Sequence, residues 1–170
     1  MVSVNITIKS FLARNTPVIL LFTSILNEID FNNTELKYFS FNFAYILIFY
    51  YNVKRENGIG YTFIFIAGLF NDVVNGLPMG LSSLCYLLLC VAASYLRNIT
   101  LRPSLIKDWI FFLITIFILN FITFTYLILF LDYEVDYFDQ IINIMFTFIL
   151  YLIFLYLFKF YDNIILGRHK

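Results

Sequence analysis

Long, almost uninterrupted apolar runs constrain this chain more than any other feature of its sequence. Residues 111–119 and 144–158 are apolar on nearly every helical face, so neither run has the polar side of a water-soluble helix. A helix needs about 20 mostly apolar residues to cross a hydrocarbon core about 30 Å thick. Hydrophobic residues make up 62% of the 170 positions and charged residues 13%, which a single soluble core could not accommodate. The sequence therefore predicts an integral membrane protein.

Charged or turn-forming clusters divide the apolar sequence into six predicted transmembrane helices. The predicted spans are Phe11–Ile29, Tyr38–Val53, Gly60–Asn75, Met79–Leu96, Trp109–Leu131 and Ile141–Phe160. Membrane β-strands would instead alternate apolar and polar residues over about 10 positions, and these runs do not alternate. We therefore predict an all-α, polytopic membrane protein whose single membrane domain comprises residues 1–170.

The basic residues predict the orientation of this bundle, because Lys and Arg are retained on the cytoplasmic side of membranes. With the N-terminus inside, all of the 11 basic residues except Lys37 fall in the cytoplasm. Acidic residues concentrate in the first outer loop, at Glu28, Asp30 and Glu35, and in the third outer loop, at 132–139. Both termini are therefore predicted to be cytoplasmic. The net charge of zero argues against nucleic acid as a partner.

The residue types that common catalytic and metal sites require are missing from the predicted spans. The only histidine, His169, lies in the C-terminal tail, which excludes a Ser-His arrangement or a histidine metal site inside the bundle. Asp72 is the only carboxylate within a span, so an aspartyl dyad is excluded too. Cys85 and Cys90 lie off a common helical face and suit packing. We therefore expect neither an enzyme nor a bound cofactor or metal.

One segment, residues 68–80, concentrates residues with special backbone or charge properties. Gly68, Asp72 and Gly76 recur every four residues, on one stripe where two glycines allow close approach of another backbone. Pro78 suits the first turn of the following helix. We expect Asp72 to accept hydrogen bonds from backbone N–H groups around Gly80 to Ser83, where the helix dipole favours negative charge. A partner-binding role and a proton or ion site are the alternatives that the residues leave open.

Other polar and small residues in the spans predict helix packing. Asn120 lies in the middle of the fifth span, where a buried amide is expected to bond to a neighbouring helix. The fourth span contains small residues, which predict a closely packed helix. These residues are Ser82, Ser83, Ala92, Ala93 and Ser94.

A known family shares the pattern of this hairpin. The run Gly68-Leu-x-x-Asp72-x-x-x-Gly76-x-Pro78-x-Gly80-Leu81-x-x-Leu84, before an apolar helix that ends Leu96-Arg97-Asn98, resembles the bacterial rod shape-determining protein MreD family. Met79 departs from the aliphatic residue that is frequent there, but it keeps the apolar character. The resemblance implies a non-enzymatic scaffold of the cell-elongation machinery in the bacterial inner membrane, acting in rod shape determination and peptidoglycan synthesis. It also implies binding to MreC, and work alongside MreB, RodA and a transpeptidase penicillin-binding protein.

The alternative function is the substrate-binding membrane subunit of an energy-coupling-factor-type vitamin transporter, because that family looks similar in fold. Such a subunit should enclose a pocket with several convergent polar groups. It should also have a stripe of small residues, such as A-x-x-x-A, on its first helix. The first span here reads Thr16-Pro17-Val-Ile-Leu-Leu-Phe-Thr23-Ser24, without such a stripe, and therefore favours the scaffold.

Overall fold

The computed structural model describes residues 15–25, 41–55, 58–100, 104–131 and 137–166, and the regular structure in these ranges is entirely α-helical. The helices are α1 (Asn15–Ile25), α2 (Phe43–Lys54), α3 (Tyr61–Asn75), α4 (Leu81–Ile99), α5 (Leu105–Leu131) and α6 (Tyr137–Leu166). Three of them, α4, α5 and α6, are long and apolar enough to cross a membrane. The prediction of an all-α fold with membrane-spanning helices is confirmed.

The helices alternate in direction, so that α2, α4 and α6 point the same way. The backbone N–H of Asn42, just before α2, donates to Thr147 in the first half of α6. At the other end of α2, Arg55 pairs with Asp162 near the end of α6. Because both ends match in order, α2 and α6 are parallel, as two helices separated by an even number of crossings must be.

Helix α2 is short and almost completely enclosed. Its 12 residues extend about 18 Å, which is less than the hydrocarbon thickness of about 30 Å. All of its residues from Ala44 to Asn52 are buried, and its principal neighbours are α4 and α6. A helix that is apolar on every side suits this interior position, because none of its faces has to meet water.

Aromatic rings fill the space between α2, α5 and α6. The ring of Phe49 in α2 lies 5.0 Å from that of Phe112 in α5 and 5.9 Å from that of Tyr151 in α6. Phe112 and Tyr151 stack on each other with centroids 4.5 Å apart. Tyr45 and Tyr86 make a similar edge contact between α2 and α4. Packing of large rings, rather than polar contacts, therefore holds the centre of the bundle together.

The observed helix boundaries differ from the predicted spans mainly at α2. The predicted second span begins at Tyr38, but Phe41 and Asn42 are not helical, so the prediction is wrong for these two residues. The reason is local: the Asn42 side chain accepts the N–H of Tyr45 and starts the helix at that point. Residues 38–40 lie outside the described ranges, as do the ends of the predicted first span, which is helical over Asn15–Ile25.

The predicted third span agrees with α3 to within one residue, whereas α4, α5 and α6 all extend beyond their predicted spans. Helix α5 begins at Leu105 instead of Trp109, and α6 continues to Leu166 instead of ending at Phe160. The added turns contain charged residues such as Asp108 and Asp162, which the apolar window excludes although they form regular helix.

Charge is distributed unequally between the two ends of the bundle. The Lys and Arg residues in the described ranges lie where α2, α4 and α6 end and α5 begins, and we call this the basic end. They are Lys54, Arg55, Arg97, Lys107 and Lys159. The opposite end contains the turn between α3 and α4, which we call the hairpin, and the described charges there are Asp72 and Asp139. This separation matches the charge segregation on which the predicted orientation depends.

Candidate functional site

The carboxylate of Asp72 joins the end of α3 to the start of α4. Asp72 is fully buried, at 0% exposure. The backbone N–H of Gly80 donates to its Oδ2 at 2.7 Å, and the N–H of Ser82 donates to its Oδ1 at 2.8 Å. Helix α4 has Gly80 at its N-cap position, where no side chain is available to cap the helix. Asp72 supplies the missing cap from the preceding helix, which confirms the hydrogen bonds predicted for it.

Two glycines with left-handed backbones let the chain reverse between α3 and α4. Gly76 ends α3 with a φ of 64°, and its N–H donates to the backbone carbonyl of Asp72. Gly80 begins α4 with a φ of 99°. A side chain at either position would strain the backbone. Pro78 lies between them, half exposed, and its carbonyl accepts the N–H of Leu81.

Gly68 allows the close approach of α4 to α3. A Cβ atom at this position would overlap the Cα of Ser83 and lie 2.5 Å from its backbone nitrogen. The same contact is reinforced by the Ser83 hydroxyl, which donates to the Phe65 carbonyl at 2.9 Å. One helical turn further along, the Asn71 amide donates to the Ser82 hydroxyl at 3.0 Å. Side-chain hydrogen bonds therefore fix the register of α3 against α4.

The structure brings only some of the predicted site residues together. Gly68, Asp72 and Gly80 meet the first turn of α4, whereas Gly76 and Pro78 lie in the turn outside that contact. No atom stands within 4 Å of a Cβ at Gly76, so this glycine serves the backbone and receives no helix. The stripe expected to accept another backbone does so at Gly68, where the chain's own α4 occupies it.

The arrangement suits structural support better than chemistry. Each oxygen of Asp72 already accepts a backbone donor, and the side chain has no exposed surface. Within the described ranges, no group of three His, Cys, Asp or Glu residues could hold a metal ion. Cys85 and Cys90 are buried and free.

A second polar cluster, at the basic end, was not anticipated from the sequence. The Arg97 guanidinium donates to the backbone carbonyls of Asn52 at 3.0 Å and Arg55 at 2.6 Å, and so satisfies the C-terminus of α2. Arg55 in turn forms an ion pair with Asp162 at 2.9 Å. The sequence analysis used these residues only as indicators of orientation. Basic residues at the ends of two parallel neighbouring helices were the signal for this cap.

Asn120 does not bond to another helix as expected. Its amide donates to the Ile116 carbonyl one turn earlier in α5, at 2.9 Å. A long helix can satisfy a polar side chain internally in this way, so no neighbour is required. The contact between helices in this region comes instead from Thr123, whose Oγ1 lies 3.1 Å from the Cys85 thiol in α4.

No protein-family model, curated protein or solved structure matches this chain. The functional assignment therefore depends on the hairpin, on the packing of the bundle and on the distribution of its charges.

Proposed function

We propose that this protein is a non-enzymatic, multi-pass scaffold of the MreD type in the bacterial inner membrane, where it supports cell elongation. The observation that carries the proposal is the hairpin. Every position of its G-x-x-x-D-x-x-x-G-x-P-x-G pattern has a defined structural task, from the close contact at Gly68 to the carboxylate cap at Asp72 and the left-handed backbone at Gly76 and Gly80. A pattern used in full indicates a hairpin shaped by selection.

The packed interior also supports a scaffold over a solute-binding subunit. Phe49, Phe112 and Tyr151 occupy the space where α2, α5 and α6 meet. A solute-binding subunit would instead require polar groups that converge on an open pocket. The proposal accordingly includes no substrate, cofactor or catalytic residue.

The proposed topology has six crossings, with both termini in the cytoplasm and the basic end facing inward. The alternating helix directions and the concentration of Lys and Arg at one end support it. Helix α2 is too short to cross alone, so its crossing would include residues before Asn42. The hairpin would then lie on the outer side of the membrane.

The proposed partner is MreC, with MreB, RodA and a transpeptidase penicillin-binding protein as indirect partners. Because Gly68 and Asp72 are buried, the partner would meet the exposed side of the hairpin. Val73 is 60% exposed and Met79 78% exposed, and both lie beside the structural residues. A partner helix that contacts them would read the shape of the hairpin without displacing α4.

Photocrosslinking from the hairpin tests this function directly. A photoreactive amino acid would replace Val73 or Met79 in the full-length protein in bacterial membranes. Phe121, which is 65% exposed on α5, provides a matched control on another surface. We expect the hairpin positions to capture MreC and the control position to capture lipid.

Capture of lipid alone from both hairpin positions would contradict the docking proposal. Normal rod morphology after depletion of the protein would contradict the role in elongation. A transporter subunit would instead yield crosslinks to its energising partner and bind a vitamin.

A further inference from the structure

A shallow groove follows the outer surface of α6 toward the basic end. Its lining residues are Ile153, Tyr156, Leu157, Lys159, Phe160 and Asn163. The apolar members are well exposed, at 53% for Ile153 and Leu157 and 67% for Phe160. In a membrane-spanning helix such a surface faces acyl chains. The groove therefore combines a hydrocarbon-compatible wall with a cationic group at one end.

The cationic group is the ammonium of Lys159. Its Nζ lies 5.9 Å from the centroid of the Tyr156 ring, so the aromatic side chain supports it at the side of the groove. Within the described ranges the ion pair is Arg55 with Asp162, and no carboxylate lies within 4 Å of Lys159. Its charge is therefore not neutralised by a contact partner there.

The charges near Lys159 add to its positive potential. Lys54, exposed at the end of α2, and Asp108, buried in the first turn of α5, are the groups that interact electrostatically with Lys159. Two lysines thus surround one carboxylate. Arg55 and Asp162 neutralise each other beside them. The region keeps an excess of positive charge that an anion would complement.

We propose that this groove binds an anionic phospholipid, with an acyl chain along Ile153, Leu157 and Phe160 and the phosphate at Lys159. Lys54 contributes to the same potential from α2. Charge complementarity selects the headgroup, and the exposed apolar wall selects a molecule that carries an acyl chain. The basic end of a membrane protein lies at the depth where lipid phosphates are found, so the two parts of the ligand match the two parts of the groove.

The test compares the binding of phosphatidylglycerol and phosphatidylcholine with the same acyl chains to the purified full-length protein, by native mass spectrometry. We expect a preference for phosphatidylglycerol, and we expect Lys159→Gln to reduce that preference about fivefold. Lys54→Gln combined with Lys159→Gln should reduce it further, whereas Lys159→Arg should keep it. Lys107→Gln is the matched control, because Lys107 is an exposed lysine at the same end but outside the groove.

The proposal is overturned if Lys159→Gln keeps the wild-type preference, or if Lys107→Gln loses as much. Excess glycerol phosphate identifies the source of the anion: failure to displace the phospholipid supports the lipid site, and full displacement overturns it in favour of a soluble anion. The Lys159→Arg protein guards against misfolding, because loss of preference in this charge-retaining variant would also contradict the proposal. Crosslinking of MreC to the hairpin is independent of all these outcomes.

Discussion

Replacing Asp72 with asparagine tests whether the buried carboxylate holds the hairpin together. Both carboxylate oxygens accept backbone N–H groups, at 2.7 Å from Gly80 and 2.8 Å from Ser82. An asparagine of the same shape offers one oxygen and one amino group. One of the two backbone donors would therefore face another donor in a site that water does not reach.

The expected loss of stability follows from this geometry. Leaving one buried backbone donor unsatisfied costs about 1–3 kcal/mol. Loss of the negative charge at the N-terminus of α4 adds about 0.3–1 kcal/mol. Asp72→Asn should therefore lower the free energy of unfolding by about 1–4 kcal/mol. Asp139→Asn is the matched control, because Asp139 lies in the first turn of α6 but is exposed, and its loss should cost at most about 1 kcal/mol.

Unfolding in mixed detergent and sodium dodecyl sulfate micelles provides the assay. Trp109 is the only tryptophan and stacks on Phe148 at 4.3 Å, so its fluorescence reports the separation of α5 from α6. The midpoint for Asp72→Asn should shift to a lower detergent fraction than that for Asp139→Asn. If the two variants unfold at the same midpoint, the carboxylate does not stabilise the fold and the reasoning is wrong.

Three further perturbations test other contacts. Gly68→Ala should lower the free energy of unfolding by about 1–3 kcal/mol, because its methyl group would overlap Ser83, and Gly76→Ala by about 1 kcal/mol for backbone strain alone; equal losses in the same assay would contradict the close contact. Arg97→Gln should speed hydrogen exchange of the amides in the last turn of α2, and unchanged rates would show that the two carbonyl contacts are dispensable. Asn120→Leu should change the free energy of unfolding by no more than about 0.5 kcal/mol, because Asn120 bonds only within α5; a larger loss would reveal a contact between helices.

The hairpin could be predicted from the sequence because its determinants are local. Glycine, proline and a carboxylate within 13 positions specify a reversal and a cap through backbone geometry alone. The expectation that a second backbone approaches the glycine stripe was also correct at Gly68. The sequence could not indicate that the approaching backbone is α4, since the spacing of a stripe does not identify its occupant.

The parts that escaped prediction depend on contacts between distant segments. Hydropathy cannot separate a helix from the apolar residues before it, so the start of α2 at Asn42 was missed. It also cannot assign Arg97 to the carbonyls of a helix 42 residues earlier. For Asn120, a bond within α5 and a bond to a neighbour fit the same sequence, and only the packing decides between them.

The enclosed position of α2 has a consequence for how the protein is made. Arg97 of α4 closes one end of α2, whereas Thr147 and Asp162, which meet its two ends, belong to α6. Ribosomes synthesise α6 long after α2 has entered the membrane. A nascent chain that stops before α6 therefore leaves Arg55 without its ion-pair partner beside lipid, and such a chain should be a preferred substrate for membrane proteases.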